Sequence, residues 1–302
     1  MGTIGDNVDA IAEQRIDLGL EQQSAGIDEF LVDLDARLVG LLPVKSRIAE
    51  IASLLLVERV RERLGLAASP PTLHMSFTGN PGTGKTTVAT TMAEILHRLG
   101  YLPTSRLLCV SRDDLVGEYI GHTGPKTREV LKRVAGGVLF IDEAYSLHRP
   151  ENERDYGQEA IEILLQVMED QHNATVVILA GYADRMDRFF SSNPGFRSRV
   201  GHHIEFPDYT DEELVEIAEA FLAEQNYRFS PQALSLMRQY VHLRRQQPHF
   251  ANARSVRNAL DRARLRHAHR QVNAGIVTLN DLTTIDDIDI SPSRVFATPA
   301  DE

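Results

Sequence analysis

The sequence has little of what several classes of protein need. Its 302 residues include one cysteine, Cys109, so we expect neither an intrachain disulfide nor a cysteine-based metal site. No apolar run approaches the ~20 residues that a membrane span needs. The polar, acidic start lacks the basic and apolar regions of a signal peptide. We therefore expect a cytoplasmic protein that has no membrane partner.

An excess of positive charge is also missing. The formal net charge is −11, whereas proteins that bind nucleic acids through their phosphates usually carry a basic face. We therefore expect no nucleic-acid partner. Hydrophobic residues make up 42% of the chain and charged residues 25%, which is typical of globular proteins and sufficient for one large domain or two small ones.

The apolar pattern divides the chain into segments. Residues 1–26 show weak periodicity and are expected to be a flexible leader. Residues 27–207 alternate apolar strands with amphipathic helices, which predicts an α/β fold whose parallel sheet has helices on both faces. Residues 208–296 show helical patterns and predict a smaller all-helical lid subdomain, followed by a tail at 297–302. The predicted strands span 73–79, 106–111, 137–142, 175–181 and 202–207.

The stretch "GNPGTGKT" at residues 79–86 matches G-x-x-x-x-G-K-[ST] between a predicted strand and a predicted helix. Its glycines allow backbone N–H groups to surround phosphate oxygens, and the helix N-terminus adds a positive dipole. Lys85 would contact the β- and γ-phosphates, and the Thr86 hydroxyl would bind Mg²⁺. The alternative is a glycine-rich turn with a chance lysine; the strand and helix context favours a site for ATP and Mg²⁺. The predicted nucleotide contacts are Gly79, Asn80, Pro81, Gly82, Thr83, Gly84, Lys85, Thr86 and Thr87.

An acidic pair, Asp142 and Glu143, follows the apolar run "GVLFI". Ligands of parallel sheets bind at the carboxyl ends of the strands. Asp142 is therefore expected to help fix Mg²⁺, and Glu143 to orient the attacking water. The alternative is an ordinary acidic pair where a strand meets a loop. The preceding phosphate-binding motif favours the catalytic interpretation over this one.

These two motifs followed by a helical lid resemble the AAA+ ATPases, which implies a P-loop AAA+ fold and a homo-hexameric ring. "NPGFRSR" resembles the segment that supplies an arginine finger to the γ-phosphate of the neighbouring protomer. Arg199 is our first candidate for that finger and Arg197 our second. The alternative is that both arginines lie in a surface loop without a catalytic role.

Other positions of the same resemblance are less well marked. "NARSVRNAL" resembles the second sensor, which implies that Arg254 contacts the nucleotide phosphates. "VGLLPVK" resembles the segment beside the adenine, so Val39 and Gly40 are candidate base contacts. AAA+ proteins commonly carry a polar residue at the end of the fourth strand, but this strand ends in Gly181; Tyr182 is a possible substitute.

A glycine-flanked aromatic–aliphatic pair lies within "GEYIGHTGPKT". In AAA+ remodellers the matching loop faces a central pore and grips a polypeptide through an aromatic side chain. The resemblance therefore implies a pore loop at Tyr119, Ile120 and Gly121. The alternative is that Tyr119 packs on its own domain.

The sequence is more narrowly similar to the red-type Rubisco activases, the CbbX (CfxQ) family, from about Ile27 to Phe296. Segments that carry this resemblance include "NERDYGQEAIEILLQVMED", "VVILAGYADRMDRFF" and "NPGFRSRVGHHIEFPDY". The resemblance implies a hexameric motor that pulls the C-terminal tail of the large subunit of form I Rubisco and so releases inhibitory ribulose 1,5-bisphosphate. It also implies that this sugar bisphosphate is an allosteric effector.

Three other functions are compatible with the motifs. A nucleic-acid motor would bind DNA or RNA with a steep salt dependence. A nucleotide-switched assembly protein would not need hydrolysis. A general AAA+ chaperone would act on many unfolded substrates. The sequence also leaves the effector site open: basic residues within 243–254 and 262–270 are candidates, and a solvated basic face is the alternative.

Overall fold

The computed structural model describes residues 15–66, 71–149, 155–170 and 175–296. The chain forms two compact units. The first comprises Met1–Arg37, Leu42–Thr78 and Lys85–Glu205, and the second comprises Leu38–Leu41, Gly79–Gly84 and Phe206–Glu302. The glycine loop and the short segment 38–41 thus group with the C-terminal part of the chain, a division that local sequence patterns do not indicate.

A five-stranded sheet with the order β2-β3-β4-β1-β5 forms the centre of the first unit and confirms the α/β prediction. Strand β3 is parallel to both β2 and β4, and β4 is parallel to β1. Every residue of β3 and β4 is buried, as expected for central strands covered on both faces. The strands are β1 Met75–Gly79, β2 Leu107–Val110, β3 Val138–Ile141, β4 Val176–Gly181 and β5 His202–Phe206.

Helices supply the rest of this core. Leu139 and Ile141 of the sheet belong to one buried cluster with Leu164, Phe189 and Phe196 of neighbouring helices. The helices of the first unit are α1 Leu18–Ser24, α2 Ile27–Arg37, α3 Leu42–Arg63, α4 Lys85–Arg98, α5 Arg112–Leu115, α6 Thr123–Val134, α7 Gly157–Glu169, α8 Ala183–Ser192 and α9 Pro194–Arg199.

Helix α1 lies within the segment that the sequence predicts to be a flexible leader. The Asp17 carboxylate accepts a hydrogen bond from the Leu20 N–H (3.1 Å) and caps the helix. Arg63 of α3 binds the Glu21 carboxylate (3.2 Å). Helix α1 buries no residue, which explains why apolar periodicity does not reveal it. Residues 1–14 of the expected leader lie outside the described residues.

The second unit contains the helices of the expected lid, and also a feature that the all-helical prediction lacks. Strands β6 Arg228–Phe229 and β7 Thr284–Ile285 form a short parallel pair, so the lid is not purely helical. Two residues per strand are too few to show alternation in the sequence. The helices are α10 Asp211–Ala223, α11 Pro231–Arg245, α12 Asn252–Ala274, α13 Leu279–Thr283 and α14 Asp287–Ile290.

The predicted start of the lid carries a complete capping box. The Thr210 hydroxyl accepts from the Glu213 N–H (3.2 Å), and the Glu213 carboxylate accepts from the Thr210 N–H (2.8 Å). No helix within the described residues has the length and apolar character of a membrane-crossing segment. The expected tail at 297–302 lies outside those residues.

Candidate nucleotide-binding site

The loop after β1 has the backbone conformation that its motif requires. Gly79, Gly82 and Gly84 have φ values of 149°, 75° and 93°, which residues with a Cβ rarely adopt. Thr83 is fully buried, and its hydroxyl donates to the Asn80 carbonyl (2.9 Å). Loops of this kind present several backbone N–H groups to one anion.

Within the second unit the loop packs against the start of α12. A Cβ at Gly82 would lie 2.2 Å from the Ala251 carbonyl oxygen and 2.9 Å from the Arg254 backbone nitrogen. The Ala253 N–H donates to the Gly82 carbonyl (3.2 Å). Only glycine fits at position 82, because any side chain would collide with backbone atoms. Arg254, the predicted second sensor, is therefore on a helix whose first turn contacts the loop.

Asn252 and Asp208, which the sequence does not single out, hold this arrangement together. The Asn252 amide donates to the Pro81 carbonyl (3.3 Å) and to the Asp208 carboxylate (2.8 Å). The same carboxylate accepts from the Asn80 amide at 2.9 and 3.0 Å. Asn252 is fully buried and has a φ of 45°. Asn tolerates this conformation better than most residues, and that preference is the only signal of its role in the sequence.

The candidate base contacts belong to the same unit as the loop. Val39 and Gly40 are both half-buried. A Cβ at Gly40 would lie 1.9 Å from the Glu213 carboxylate, and the Leu41 side chain lies 3.5 Å from the Cβ position of Gly84. The 38–41 segment is thus beside the loop, as its predicted role near the nucleotide requires.

In the first unit, Lys85 and Thr86 are the first residues of α4. Lys85 is half-buried, whereas Thr86 and Thr87 are exposed. The opposite side of the helix is anchored by fully buried Val88 and Met92. The N-terminal end of α4, with its N–H groups and positive dipole, therefore follows directly on the glycine loop.

The acidic pair follows β3 and is exposed. Strand β3, which precedes the pair, lies beside β4, where Ile141 pairs with Leu179. On the other side of β4, Thr78 of β1 pairs with Gly181. Glu143 has φ 50° and ψ 44°, a left-handed conformation that is uncommon for glutamate. Its N–H donates to the Asp142 carboxylate (3.0 Å). The carboxyl ends of β1, β3 and β4 thus lie on one edge of the sheet, where ligands of such sheets bind.

These groups fit Mg²⁺ and ATP chemically. The positive-φ glycine loop and the Lys85 ammonium suit phosphates, and the exposed Thr86 hydroxyl and Asp142 carboxylate are the oxygen ligands that Mg²⁺ prefers. The residues predicted from the motif are therefore of a chemical kind that suits a nucleotide and Mg²⁺.

The two finger candidates differ in their surroundings. Arg199 is half-buried; its guanidinium binds the Glu169 carboxylate (2.7 Å) and the Gly195 carbonyl (2.9 Å). Arg197 is exposed, and it lies near His203. Arg199 would therefore have to exchange Glu169 for a phosphate, whereas Arg197 is already on the surface.

The predicted pore loop connects α5 to α6. Tyr119 is 65% exposed and Ile120 is 83% exposed. Gly121 has a φ of 82°, and the Tyr119 ring touches only the edge of His122 among aromatic groups of the described chain (centroids 5.5 Å apart). Tyr119 is therefore largely exposed and is not buried in its own domain.

Several basic residues of the lid, by contrast, have local partners. Arg244 donates to the carbonyl of His249 (2.9 Å), and Arg245 binds Asp211 (2.7 Å). Arg270 binds the buried Asp289 carboxylate (2.7 Å). These contacts support the interpretation of a structural and solvated basic face over that of a ready-made anion site.

Comparison with known proteins agrees with this geometry. The family described as "ATPase family associated with various cellular activities (AAA)" matches residues 75–208, and the AAA lid domain matches residues 210–298. The protein CbbX of Cereibacter sphaeroides is 65% identical over 289 residues, which are 95% of this chain and 94% of that protein. The chain belongs to the CbbX family of AAA ATPases.

Two further similarities extend the comparison. The chloroplastic ribulose bisphosphate carboxylase/oxygenase activase of Cyanidioschyzon merolae is 60% identical over 287 residues, which cover 94% of this chain and 98% of that one. The solved structure of a Thermotoga maritima RuvB mutant matches with a TM-score of 0.57 at 20% identity. The match covers 85% of this chain and 69% of the RuvB chain. The second similarity concerns the fold alone. Membership of the CbbX family establishes an AAA ATPase that uses a nucleotide and Mg²⁺.

Proposed function

We propose that this CbbX family member is a Rubisco activase: an ATP-driven remodeller that releases inhibitory ribulose 1,5-bisphosphate from red-type form I Rubisco. The observation that carries the proposal is the identity of 60% across nearly the full length with a protein named as such an activase. The exposed pair Tyr119 and Ile120 supports it, because an exposed apolar tip suits contact with an extended polypeptide of varied sequence.

Each hydrolysis residue receives one role in this proposal. Lys85 binds the β- and γ-phosphates, and Arg254 binds phosphate from the start of α12. Thr86 and Asp142 hold Mg²⁺, which neutralises charge on the phosphate oxygens when it is bound. Glu143 accepts a hydrogen bond from the attacking water and orients it.

Remodelling requires more than one protomer. We assign the arginine finger to Arg199, with Arg197 as the second candidate, and either residue must act on a nucleotide held by a neighbouring chain of a homo-hexamer. Tyr119, Ile120 and Gly121 would then form a ring of pore loops that grips the C-terminus of the Rubisco large subunit. Ribulose 1,5-bisphosphate as an allosteric effector and a cytoplasmic location belong to the same proposal.

The decisive experiment is a carbon-fixation assay on red-type Rubisco that has been inhibited beforehand with ribulose 1,5-bisphosphate. The protein is added with ATP, and Glu143→Gln and Lys85→Ala serve as controls. We expect recovery with the wild type only, ATP binding without turnover in Glu143→Gln, and no ATP binding in Lys85→Ala.

Other results would favour another function. An active ATPase that leaves Rubisco inhibited and unfolds unrelated proteins would indicate a general chaperone. Full recovery with Glu143→Gln would indicate a nucleotide-switched assembly protein, because that variant lacks hydrolysis.

A further inference from the structure

A tyrosine and an arginine to which the motifs assign no role lie beside the proposed catalytic glutamate. Tyr145 is on the 3₁₀ turn Ala144–Leu147, which begins directly after Glu143. The Arg185 guanidinium, from the first turn of α8, donates to the Tyr145 hydroxyl (3.2 Å). The same guanidinium lies 5.1 Å from the ring centroids of both Tyr145 and Tyr182. Two aromatic rings therefore hold Arg185 in place.

The hydrogen bonds of the Tyr145 hydroxyl have a definite direction. A phenol has one hydrogen to donate and lone pairs to accept. Because Arg185 can only donate, the hydroxyl accepts from Arg185 and keeps its own hydrogen to donate, and the Glu143 carboxylate is close enough to act on the phenol. Burial and the neighbouring Glu143 carboxylate raise the pKa of Tyr145 to about 12, against the opposing effect of Arg185. The phenol therefore stays protonated and remains a donor.

Gly181 at the end of β4 makes room for this arrangement. A Cβ at that position would lie 2.8 Å from the Cδ1 atom of the Tyr145 ring. Position 181 therefore leaves room for an aromatic ring from the Glu143 turn.

We propose that Tyr145 is a positioning residue for Glu143 and that Arg185 acts through it. The Arg185–Tyr145–Glu143 chain fixes one carboxylate oxygen of Glu143 and leaves the other to accept a hydrogen bond from water. It also joins Glu143 to α8, which begins directly after β4. This inference rests on the proposed role of Glu143.

The test compares Tyr145→Phe with a matched control. Tyr145→Phe keeps the ring against Gly181 but removes the hydroxyl. We expect kcat for ATP to fall about tenfold, the loss typical of one hydrogen bond to a charged group, while the ATP dissociation constant stays unchanged. Tyr227→Phe, which removes a hydroxyl from another tyrosine stacked on an arginine (5.3 Å), should keep the wild-type kcat.

Two further measurements separate positioning from packing. In a Tyr145→Phe background, Arg185→Gln should cause no additional loss of kcat, because the hydroxyl through which Arg185 acts is gone. In the nucleotide-free protein, Tyr145→Phe and Arg185→Gln should both accelerate amide hydrogen exchange at residues 143–148, where the Ser146 N–H donates to the Glu143 carbonyl (2.7 Å).

A wild-type kcat in Tyr145→Phe would overturn the inference, and so would a loss of kcat on Arg185→Gln that is equal in the presence and absence of the Tyr145 hydroxyl. A Glu143→Gln variant that hydrolyses ATP at the wild-type rate would have a different meaning, because it would remove the proposed role of Glu143 itself.

Discussion

The Arg112 guanidinium binds the Asp155 carboxylate, and this pair joins three separate segments of the first unit. The side chains are only 12% and 10% exposed. Arg112, which begins α5 just ahead of the predicted pore loop, also donates to the carbonyls of Ser146 (2.8 Å) and Leu147 (3.3 Å) on the turn after Glu143. The helix that precedes the pore loop and the turn that follows the acidic pair are therefore fixed to each other.

Breaking this pair should destabilise the protein strongly. Burial raises the pKa of Asp155, but Arg112 and the N–H groups of Arg149 and Gly157 outweigh that effect and keep the pKa below its usual value. Asp155→Asn would leave the Arg112 charge buried without its partner. We expect a loss of about 3 kcal/mol in the free energy of unfolding, measured by urea denaturation.

The exposed pair Arg47 and Glu50 provides the control for that measurement. Its side chains are 43% and 64% exposed, and Glu50→Gln should cost less than about 0.5 kcal/mol. Equal losses in Glu50→Gln and Asp155→Asn would show that burial does not set the contribution of the Arg112 pair.

Removal of the exposed aromatic at the pore loop should separate hydrolysis from remodelling. Tyr119→Ala deletes a ring that is 65% exposed, so the fold and the basal ATPase rate should be unchanged while Rubisco reactivation is lost. Leu265→Ala deletes another side chain that is 72% exposed and should reactivate normally. Full reactivation by Tyr119→Ala would remove the pore-loop assignment.

The finger assignment can be tested in mixed oligomers. Arg199→Ala should reduce ATP turnover by ~10³-fold without loss of ATP binding. Mixing Arg199→Ala with Glu143→Gln protomers should restore part of the turnover, because the second variant supplies an intact Arg199 to the intact site of the first. If Arg197→Ala loses turnover and regains it on mixing, while Arg199→Ala does not, the assignment moves to Arg197.

Two histidines, the half-buried His74 and the buried His202, predict the pH dependence of stability. Burial is the main cause that lowers the pKa of both His74 and His202 below the usual value. The His74 Nδ1 accepts from the Val177 N–H (3.0 Å), so its Nε2 carries the hydrogen that donates to the Met168 carbonyl (3.1 Å). This arrangement requires neutral His74.

The unfolded chain therefore binds protons at a higher pH than the folded chain. The contribution of His74 and His202 to stability is complete above about pH 6.5 and declines as the pH falls below it. Urea midpoints should decrease from about pH 7.5 to about pH 5.5, a window above the ordinary carboxylate pKa range. His74→Gln, which has no titrating ring, should weaken that decrease. A flat profile for the wild type would contradict the prediction.

The sequence predicts those features that local pattern determines. Strand β4 is an uninterrupted apolar run, and the glycine loop has a fixed spacing, so both are recognisable without the structure. The Thr210 capping box is likewise local. By contrast, β6 and β7 pair across a long separation with two residues each, and α1 depends on the distant Arg63 rather than on an apolar face.

Contacts at long range account for the missed part of the site. Asn252 and Asp208 are 44 residues apart in sequence, and Tyr145 and Arg185 are 40 apart. Each pair consists of common polar residues with no characteristic spacing between them. Their roles depend on which strand and helix ends the fold brings together, and a single sequence does not state this.

Gly82 shows what a motif pattern conceals. In G-x-x-x-x-G-K-[ST] the position of Gly82 is one of the unrestricted ones, yet the Ala251 carbonyl oxygen occupies the space of any side chain there. A variant at position 82 would therefore report on the fit of loop and α12 as much as on ATP. For anyone engineering this loop, Gly82 is therefore a packing position as well as a motif position, because a substitution there would disturb the contact between the loop and α12.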